Sequence, residues 1–225
     1  IKQKDFKPIN FNLQHVDLCF NLNNLKTCIT NTMNFTDVSG DIYLNGIDIE
    51  LISISLNNKI LTPIEYVYDS SKIIIPKAPK KSIIKIISHI NPSLNSRLEG
   101  LYISDKIFVT QCEAQGFRRI TDFSDRPDVL STYTVKITGN KNKYPVLLSN
   151  GNLVSKKYIK NNIEVIWNDP FRKPSYLFAL VAGKLSQTNR KFITKSKKKV
   201  DLNIWIRKED KNKIKFALSS LVKAM

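Results

Sequence analysis

Histidine and cysteine are scarce in this sequence, and their spacing limits the chemistry that the chain can perform. The 225 residues include two histidines, His15 and His89, and three cysteines. Neither histidine has a second His, Cys or carboxylate at the spacing of a metal-binding helix, where ligands at positions i and i+4 share one face. We therefore expect both histidines to be structural or exposed, and we expect no metal site within this chain.

The cysteines give little support to nucleophilic catalysis. Cys112 would need a histidine base and an orienting group, which only the fold could bring close to it. Cys19 and Cys28 fall on opposite arms of a predicted hairpin and could face each other. Core packing is the expected role of all three, because an unpaired cysteine behaves as a small hydrophobic residue. So few cysteines also suit a reducing compartment, and we expect a cytoplasmic protein.

One segment, residues 110–130, is dense in side chains that could bind a ligand. On composition alone it reads as a long surface loop with local ion pairs, each of which contributes little when exposed. The same residue types also occur in binding sites, and local physics does not decide between the two interpretations. The polar residues are Gln111, Glu113, Arg118, Arg119, Asp122, Asp125, Arg126 and Asp128.

The net charge is strongly positive, with 36 Lys and Arg residues against 19 Asp and Glu residues, or +17. Such a balance invites a nucleic-acid-binding interpretation. Only seven of the basic residues are arginines, however, and arginine is the residue that phosphate and base recognition favours. The densest cluster, around residues 195–199, lies between strand-like segments and is expected at a solvated hairpin turn. We expect neither a nucleic-acid partner nor a membrane, since no apolar run is long enough to span a bilayer.

Alternation of apolar and polar residues predicts that most of the chain forms β-strands. The alternation is clear in residues 16–22, 133–137 and 202–206. Residues 25–35 are expected to pair with the first of these strands across a short Asn23–Asn24 turn. Turn signals about every ten residues favour an all-β sandwich.

Continuous apolar runs at residues 83–87 and 176–182 predict strands that are buried on both faces. Two segments have a helical pattern instead: residues 124–130, and an amphipathic stretch from Glu209 to the last residue. The predicted fold is therefore mostly β with a helix at the end.

The segment 110–130 also carries a family resemblance. The segment closely resembles the bacterial branch of the aminopeptidase N family at residues 111–114, 116–118 and 125–130. Members of this family are zinc metallopeptidases of the gluzincin class. Before residue 90 the match is weaker and rests on strand pattern and position. Further similar blocks follow the family order at residues 98–102, 144–152, 167–171 and 176–183.

In this family a saddle-like β-sandwich N-terminal domain precedes a thermolysin-like catalytic domain. The resemblance implies that residues 1–184 form the N-terminal β domain and that residues 185–225 form the first strands and helix of the catalytic domain. The chain starts at Ile1 rather than Met, and its last helical pattern runs to Met225 without a capping glycine. We therefore expect a fragment whose zinc ligands lie beyond residue 225.

The resemblance also implies a role for two residues. Glu113 would be the acid of the N-terminal domain that binds the α-ammonium group of the substrate, and Gln111 would line the same pocket. The implied partners are peptides with a free N-terminus and the rest of the catalytic domain, and the implied cofactor is zinc. No catalytic residue and no metal ligand is expected in this chain, so it should be inactive alone.

The same resemblance implies a feature of the backbone. Family members can hold the peptide bond after this acid in cis, which implies a cis bond between Glu113 and Ala114. Asp125, Arg126 and Asp128 are expected to support the loop and the domain junction, with Pro127 stiffening it. The alternative function is a non-catalytic β-sandwich binding module; a nucleic-acid binder ranks third.

Overall fold

The computed structural model describes residues 6–225, which divide into two compact units: a first unit that ends at Ala182, and a second unit, Gly183–Met225. The described residues form 17 strands and one α-helix, α1 (Ile214–Ala224). The strands are β1 (Asn12–Asn21), β2 (Thr27–Thr36), β3 (Ile42–Asn45), β4 (Glu50–Leu56), β5 (Lys59–Ile60), β6 (Val67–Asp69), β7 (Lys72–Ile75), β8 (Ser82–Ile90), β9 (Gly100–Ser104), β10 (Ile107–Gln111), β11 (Leu130–Asn140), β12 (Val146–Ser149), β13 (Asn152–Ile159), β14 (Asn162–Pro174), β15 (Leu180–Gly183), β16 (Ser186–Ile193) and β17 (Lys199–Ile206).

An eight-stranded sheet is the main element of the first unit, with the order β13-β14-β11-β1-β2-β8-β4-β5. Strands β1 and β11 pair in parallel, whereas β1 and β2 form the predicted antiparallel hairpin. Its register pairs Cys28 with Asn21 and Cys19 with Thr30, so the two cysteines are diagonal neighbours and both are free thiols. A four-stranded sheet (β12-β15-β10-β9) and a three-stranded sheet (β3-β7-β6) complete this unit.

The core lies on the inner face of the large sheet, where alternate side chains of each strand are buried. Phe20 of β1 stacks on Phe178 at 6.0 Å between ring centroids, and Phe178 also contacts Phe117 at 5.2 Å. Burial of these rings supplies much of the hydrophobic stabilisation, because each aromatic side chain removes a large apolar area from water.

Strand β8 corrects one prediction. Residues 83–87 were expected to be buried on both faces, yet Ile84 and Ile86 are fully buried while Ile83 is 44% exposed. The strand alternates like its neighbours, because its outer face lacks a covering layer and isoleucine is favoured in strands on either face.

Residues 176–182 also differ from the prediction of one continuous strand. A 3₁₀ turn covers Ser175–Leu177, and only the last part of the run belongs to β15. The turn follows Pro174, whose ring sets φ and removes a strand hydrogen-bond donor.

The predicted helix at residues 124–130 is wrong. Instead, a short 3₁₀ helix forms earlier, at Phe117–Arg119, residues 124–129 are irregular with a turn at Pro127, and Leu130 begins β11. The side chain of Asp125 accepts a hydrogen bond from the backbone N–H of Arg118, and proline cannot donate a helical hydrogen bond. Both effects favour turns over a helix.

The second unit begins with an antiparallel hairpin of β16 and β17, whose turn carries Lys195, Lys197 and Lys198 of the predicted cluster, while Lys199 begins β17. The predicted terminal helix is present, although its first part, Lys208–Lys213, is a 3₁₀ helix and only α1 is α-helical. None of the helices formed by residues 6–225 reaches the length and hydropathy that a bilayer crossing requires.

Candidate functional site

The last residue of β10 and the loop that leads from it to the 3₁₀ helix carry both sequence-predicted site residues. We name residues 111–116 the anchor loop. Its backbone is closed by a hydrogen bond from the Gly116 N–H to the Cys112 carbonyl oxygen, 2.8 Å long. The peptide bond between Glu113 and Ala114 is cis, which confirms the expectation from the family resemblance.

Close backbone contact explains why glycine occupies position 116. A Cβ atom there would lie 2.5 Å from the Gln111 carbonyl oxygen and 3.1 Å from the Cys112 Cα. Both neighbours are backbone, so neither can rotate away as a side chain would. The two ends of the anchor loop are therefore packed directly against each other.

The polar side chains of the anchor loop are exposed, and the side chain that supports the loop is buried. Glu113, Ala114 and Gln115 are exposed, and so is Gln111, whereas the Cys112 side chain is buried. The Gln111 amide donates a long hydrogen bond of 3.5 Å to the Glu113 carbonyl oxygen, so the two predicted site residues are in contact. Burial, and secondly the charge of Asp125, raises the pKa of the Cys112 thiol, which leaves it an inert packing residue.

The segment after the anchor loop corrects the surface-loop interpretation. Ile120 and Phe123 are fully buried, and so are the side chains of Asp122 and Asp125. The backbone of Phe123 forms two hydrogen bonds with Asn45 at the end of β3, which fastens this segment to the three-stranded sheet.

Ion pairs around the segment fall into two classes. The Arg126 guanidinium forms a bidentate pair with Asp128, at 2.8 and 2.7 Å, and both side chains are partly exposed. This pair lowers the pKa of Asp128 and raises the pKa of Arg126. In contrast, the pair between Arg118 and Asp125 is buried, with only 17% and 1% of the side chains exposed.

The sequence analysis named Asp122 as a polar residue of this segment but did not predict that Asp122 is buried. Its backbone carbonyl accepts a hydrogen bond from the Asn31 amide of β2 at 3.1 Å. Desolvation raises the pKa of the Asp122 carboxyl to about 7. The spacing of three between Phe117, Ile120 and Phe123 was the signal that this segment faces the core.

The described residues do not provide a zinc site. Among residues 6–225, no group of three or more His, Cys, Asp or Glu side chains is arranged to hold a metal ion. His15 pairs in register with Asn34 of β2, and His89 pairs with Cys28 of the same strand. Six residues of strand separate these positions, about 20 Å at 3.4 Å per residue, so the two histidines cannot share a metal.

Each histidine has local partners instead. His15 lies 2.7 Å from the Thr132 hydroxyl and 3.0 Å from the Thr134 hydroxyl, through its two ring nitrogens. His89 Nδ1 lies 3.4 Å from the Glu50 carboxylate. These contacts fit the structural role that the sequence predicted for both.

Comparison with known proteins identifies the family. The family description of the Peptidase M1 N-terminal domain matches residues 7–177, which is most of the chain. The chain belongs to the M1 peptidases. This M1 chain is 38% identical to aminopeptidase N of Escherichia coli K12 over 225 residues, and 40% identical to aminopeptidase N of Caulobacter vibrioides. Each alignment covers 98% of this chain and 26% of the relative, so the chain spans about a quarter of the relatives' length.

Solved structures agree with the M1 fold. Aminopeptidase A of Legionella pneumophila, solved in complex with aspartic acid, matches with a TM-score of 0.94 at 33% identity, covering 100% of this chain and 27% of that one. An M1 zinc metallopeptidase of Deinococcus radiodurans matches with a TM-score of 0.74 at 15% identity, covering 87% and 47%. The expected mostly-β M1 architecture is therefore confirmed.

Proposed function

We propose that this chain is the N-terminal part of a zinc aminopeptidase, which removes N-terminal amino acids from peptides, and that Glu113 binds the substrate's α-ammonium group. Identity of about 40% to aminopeptidase N supports the enzyme class. In this proposal residues 1–184 form the N-terminal domain and residues 185–225 open the catalytic domain. The zinc ligands lie outside this chain, which supplies the amine-binding acid alone.

The observation that carries the proposal is the contrast between Glu113 and its support. The Glu113 side chain is exposed, while the flanking Cys112 and Phe117 side chains are buried and Gly116 packs against the backbone of Gln111. An exposed carboxylate on a firmly packed turn is suited to binding a cation from outside the domain, because the backbone that carries it is set before the ligand arrives.

The chemistry matches the proposed ligand. An α-amine has a pKa near 8, so a peptide N-terminus is mostly cationic at neutral pH. A carboxylate that meets it forms a charge-assisted hydrogen bond, which is about twice as strong as a neutral one. Binding the ammonium at one fixed point places only the first peptide bond at the reacting position, which accounts for exopeptidase selectivity. Gln111 would contact the same first residue of the substrate.

Kinetics of the complete enzyme test this role. Glu113→Ala should raise KM for an amino-acid p-nitroanilide by about 10- to 100-fold, since a hydrogen bond to a charged group contributes roughly 1.5–3 kcal/mol. Glu113→Gln should give a KM between those of the wild type and Glu113→Ala, because the amide keeps an acceptor oxygen but loses the charge.

The matched control is Gln115→Ala, an exposed side chain in the same anchor loop. It should leave KM within about twofold of the wild type, because surface substitutions away from a site have small effects. A KM that stays unchanged in Glu113→Ala would exclude Glu113 from substrate binding.

A further inference from the structure

We propose that Asp125 is a positioning residue that holds the anchor loop, and with it Glu113, in the geometry that binds the amine. This inference rests on the proposed function of Glu113. Asp125 lies twelve residues beyond Glu113 in the sequence, and its side chain is 1% exposed.

Asp125 is the centre of a buried hydrogen-bond network. One carboxylate oxygen accepts hydrogen bonds from the backbone N–H of Arg118 at 3.2 Å and from Arg118 Nε at 3.0 Å. The other oxygen accepts a hydrogen bond from the Ser175 hydroxyl at 2.6 Å. The Arg118 guanidinium also donates to the Asp125 carbonyl oxygen at 3.0 Å. One carboxylate therefore joins two segments that are 50 residues apart.

The network reaches both ends of the anchor loop. At the far end, Arg118 belongs to the 3₁₀ helix that starts directly after Gly116, and the Arg119 N–H bonds back to the Gly116 carbonyl at 3.1 Å. At the near end, the Gly116 N–H donates a hydrogen bond to the Cys112 carbonyl oxygen at 2.8 Å, which joins the residue before Glu113 to the start of this helix. A movement of Asp125 would therefore shift both supports of Glu113.

Because the Arg118–Asp125 ion pair is buried, its loss should cost more stability than loss of the neighbouring Arg126–Asp128 pair. Removing one partner of a buried pair leaves an uncompensated charge, which is strongly destabilising, and the chain must rearrange around it. The Arg126–Asp128 pair lies in the same segment but is partly exposed, with 36% and 28% of the side chains accessible, so its loss costs little. The segment thus contains a matched control.

A double-mutant cycle in the complete enzyme tests the inference. Asp125→Asn should raise KM for an amino-acid p-nitroanilide by about tenfold with a much smaller change in kcat, because misplacing a binding group by a fraction of an ångström is costly. In the Glu113→Ala background the same substitution should change KM by less than about twofold, because the group that Asp125 positions is already absent. Asp128→Asn should leave KM unchanged in both backgrounds.

Several outcomes would overturn the inference. An equal effect of Asp125→Asn in both backgrounds, or an equal effect on kcat and KM, would show general damage rather than positioning of Glu113. If Glu113→Ala raises KM and Asp125→Asn does not, the positioning role fails while the anchor role stands. If Glu113→Ala leaves KM unchanged, the anchor role itself fails.

Ser175→Ala provides the test if Asp125→Asn does not fold, as judged by circular dichroism and thermal unfolding. It removes one hydrogen bond from the Asp125 carboxylate and keeps the ion pair with Arg118. The expected increase in KM is about threefold, and it should disappear in the Glu113→Ala background. An increase of equal size in both backgrounds would contradict the inference.

Discussion

At the scale of single residues, Asp122 is the most unusual carboxyl group of the described chain. The residue is 2% exposed, and one carboxylate oxygen has no hydrogen-bond partner. A Cβ atom at Gly46 would lie within contact distance of this carboxylate, so the group is enclosed on that side. Desolvation raises its pKa to about 7, while a hydrogen bond from its own backbone N–H opposes the rise. Between about pH 4 and pH 7, the Asp122 carboxyl therefore keeps its proton in the folded chain and releases it in the unfolded chain.

We predict that Asp122 makes stability fall as pH rises. The unfolded carboxyl ionises around its ordinary pKa of 3.8, whereas the folded one stays protonated until about pH 7. Ionisation therefore favours the unfolded state across this window, by up to about 4 kcal/mol. Asp122→Asn cannot ionise, so the free energy of unfolding of the variant relative to the wild type should increase between about pH 4 and pH 7.

Urea unfolding at several pH values measures this difference. The absolute stability of the variant is not the readout, because an asparagine amide at this site adds a constant offset that does not depend on pH. Parallel curves for the variant and the wild type, from about pH 4 to pH 8, would mean that Asp122 is already ionised in the folded chain.

At the scale of elements, the anchor loop depends on the approach of its own two ends. Gly116 lies against the carbonyl of Gln111, where a Cβ would stand at 2.5 Å. Gly139 in β11 provides a contrast, because a Cβ there would meet the side chains of Leu147, Leu22 and Tyr144 at 3.5–3.7 Å, which is ordinary contact. An added methyl group would therefore collide with backbone at position 116 but would only touch side chains at position 139.

We predict that Gly116→Ala destabilises the chain by about 2–3 kcal/mol, in the range of overpacking in a tight site. Gly139→Ala should change stability by less than about 1 kcal/mol, because alanine loses less entropy than glycine on folding into a strand. Thermal and urea unfolding of the two variants provide the comparison. Equal effects at the two positions would show that the end-to-end contact of the anchor loop is not a structural requirement.

At the scale of the whole molecule, the exposed carboxylate of Glu113 and the two histidines lie on separate parts of the described chain. The anchor loop carries the exposed carboxylate, whereas His15 contacts the Thr132 hydroxyl and His89 lies near the Glu50 carboxylate, on separate parts of the large sheet. A catalytic zinc ion is held by three protein ligands around one open position. In the proposed function, Glu113 supplies the amine-binding group and the metal ligands belong to another part of the complete enzyme.

We predict that this 225-residue chain, incubated with Zn²⁺, releases no measurable p-nitroaniline from an amino-acid p-nitroanilide. It should also retain no stoichiometric zinc after gel filtration, as measured by mass spectrometry of the metal. The complete enzyme, assayed in parallel, is the positive control. Hydrolysis by the chain together with one bound zinc per molecule would mean that its residues form a metal site after all.

Local pattern in the sequence was sufficient for the elements that depend on neighbours along the chain. Alternation predicted β1, β11 and β17, because side chains of a strand point to opposite faces with a period of two. The Asn23–Asn24 turn predicted β2 as the hairpin partner of β1. The lysine-rich turn between β16 and β17 followed from the same local signal. The family resemblance, carried by ordered blocks of residues, indicated the M1 architecture and the cis bond at Glu113–Ala114.

The tertiary structure decided which polar groups of residues 110–130 are buried. Composition favoured an exposed loop, yet Asp125 meets Ser175 and the backbone of Asp122 meets Asn31, contacts that join positions 50 and 91 residues apart. The identity of a residue does not tell whether it lies on the surface or in the core. The packing of strands that are distant in the sequence determines its exposure. The proposed positioning role of Asp125 and the predicted titration of Asp122 both depend on that burial.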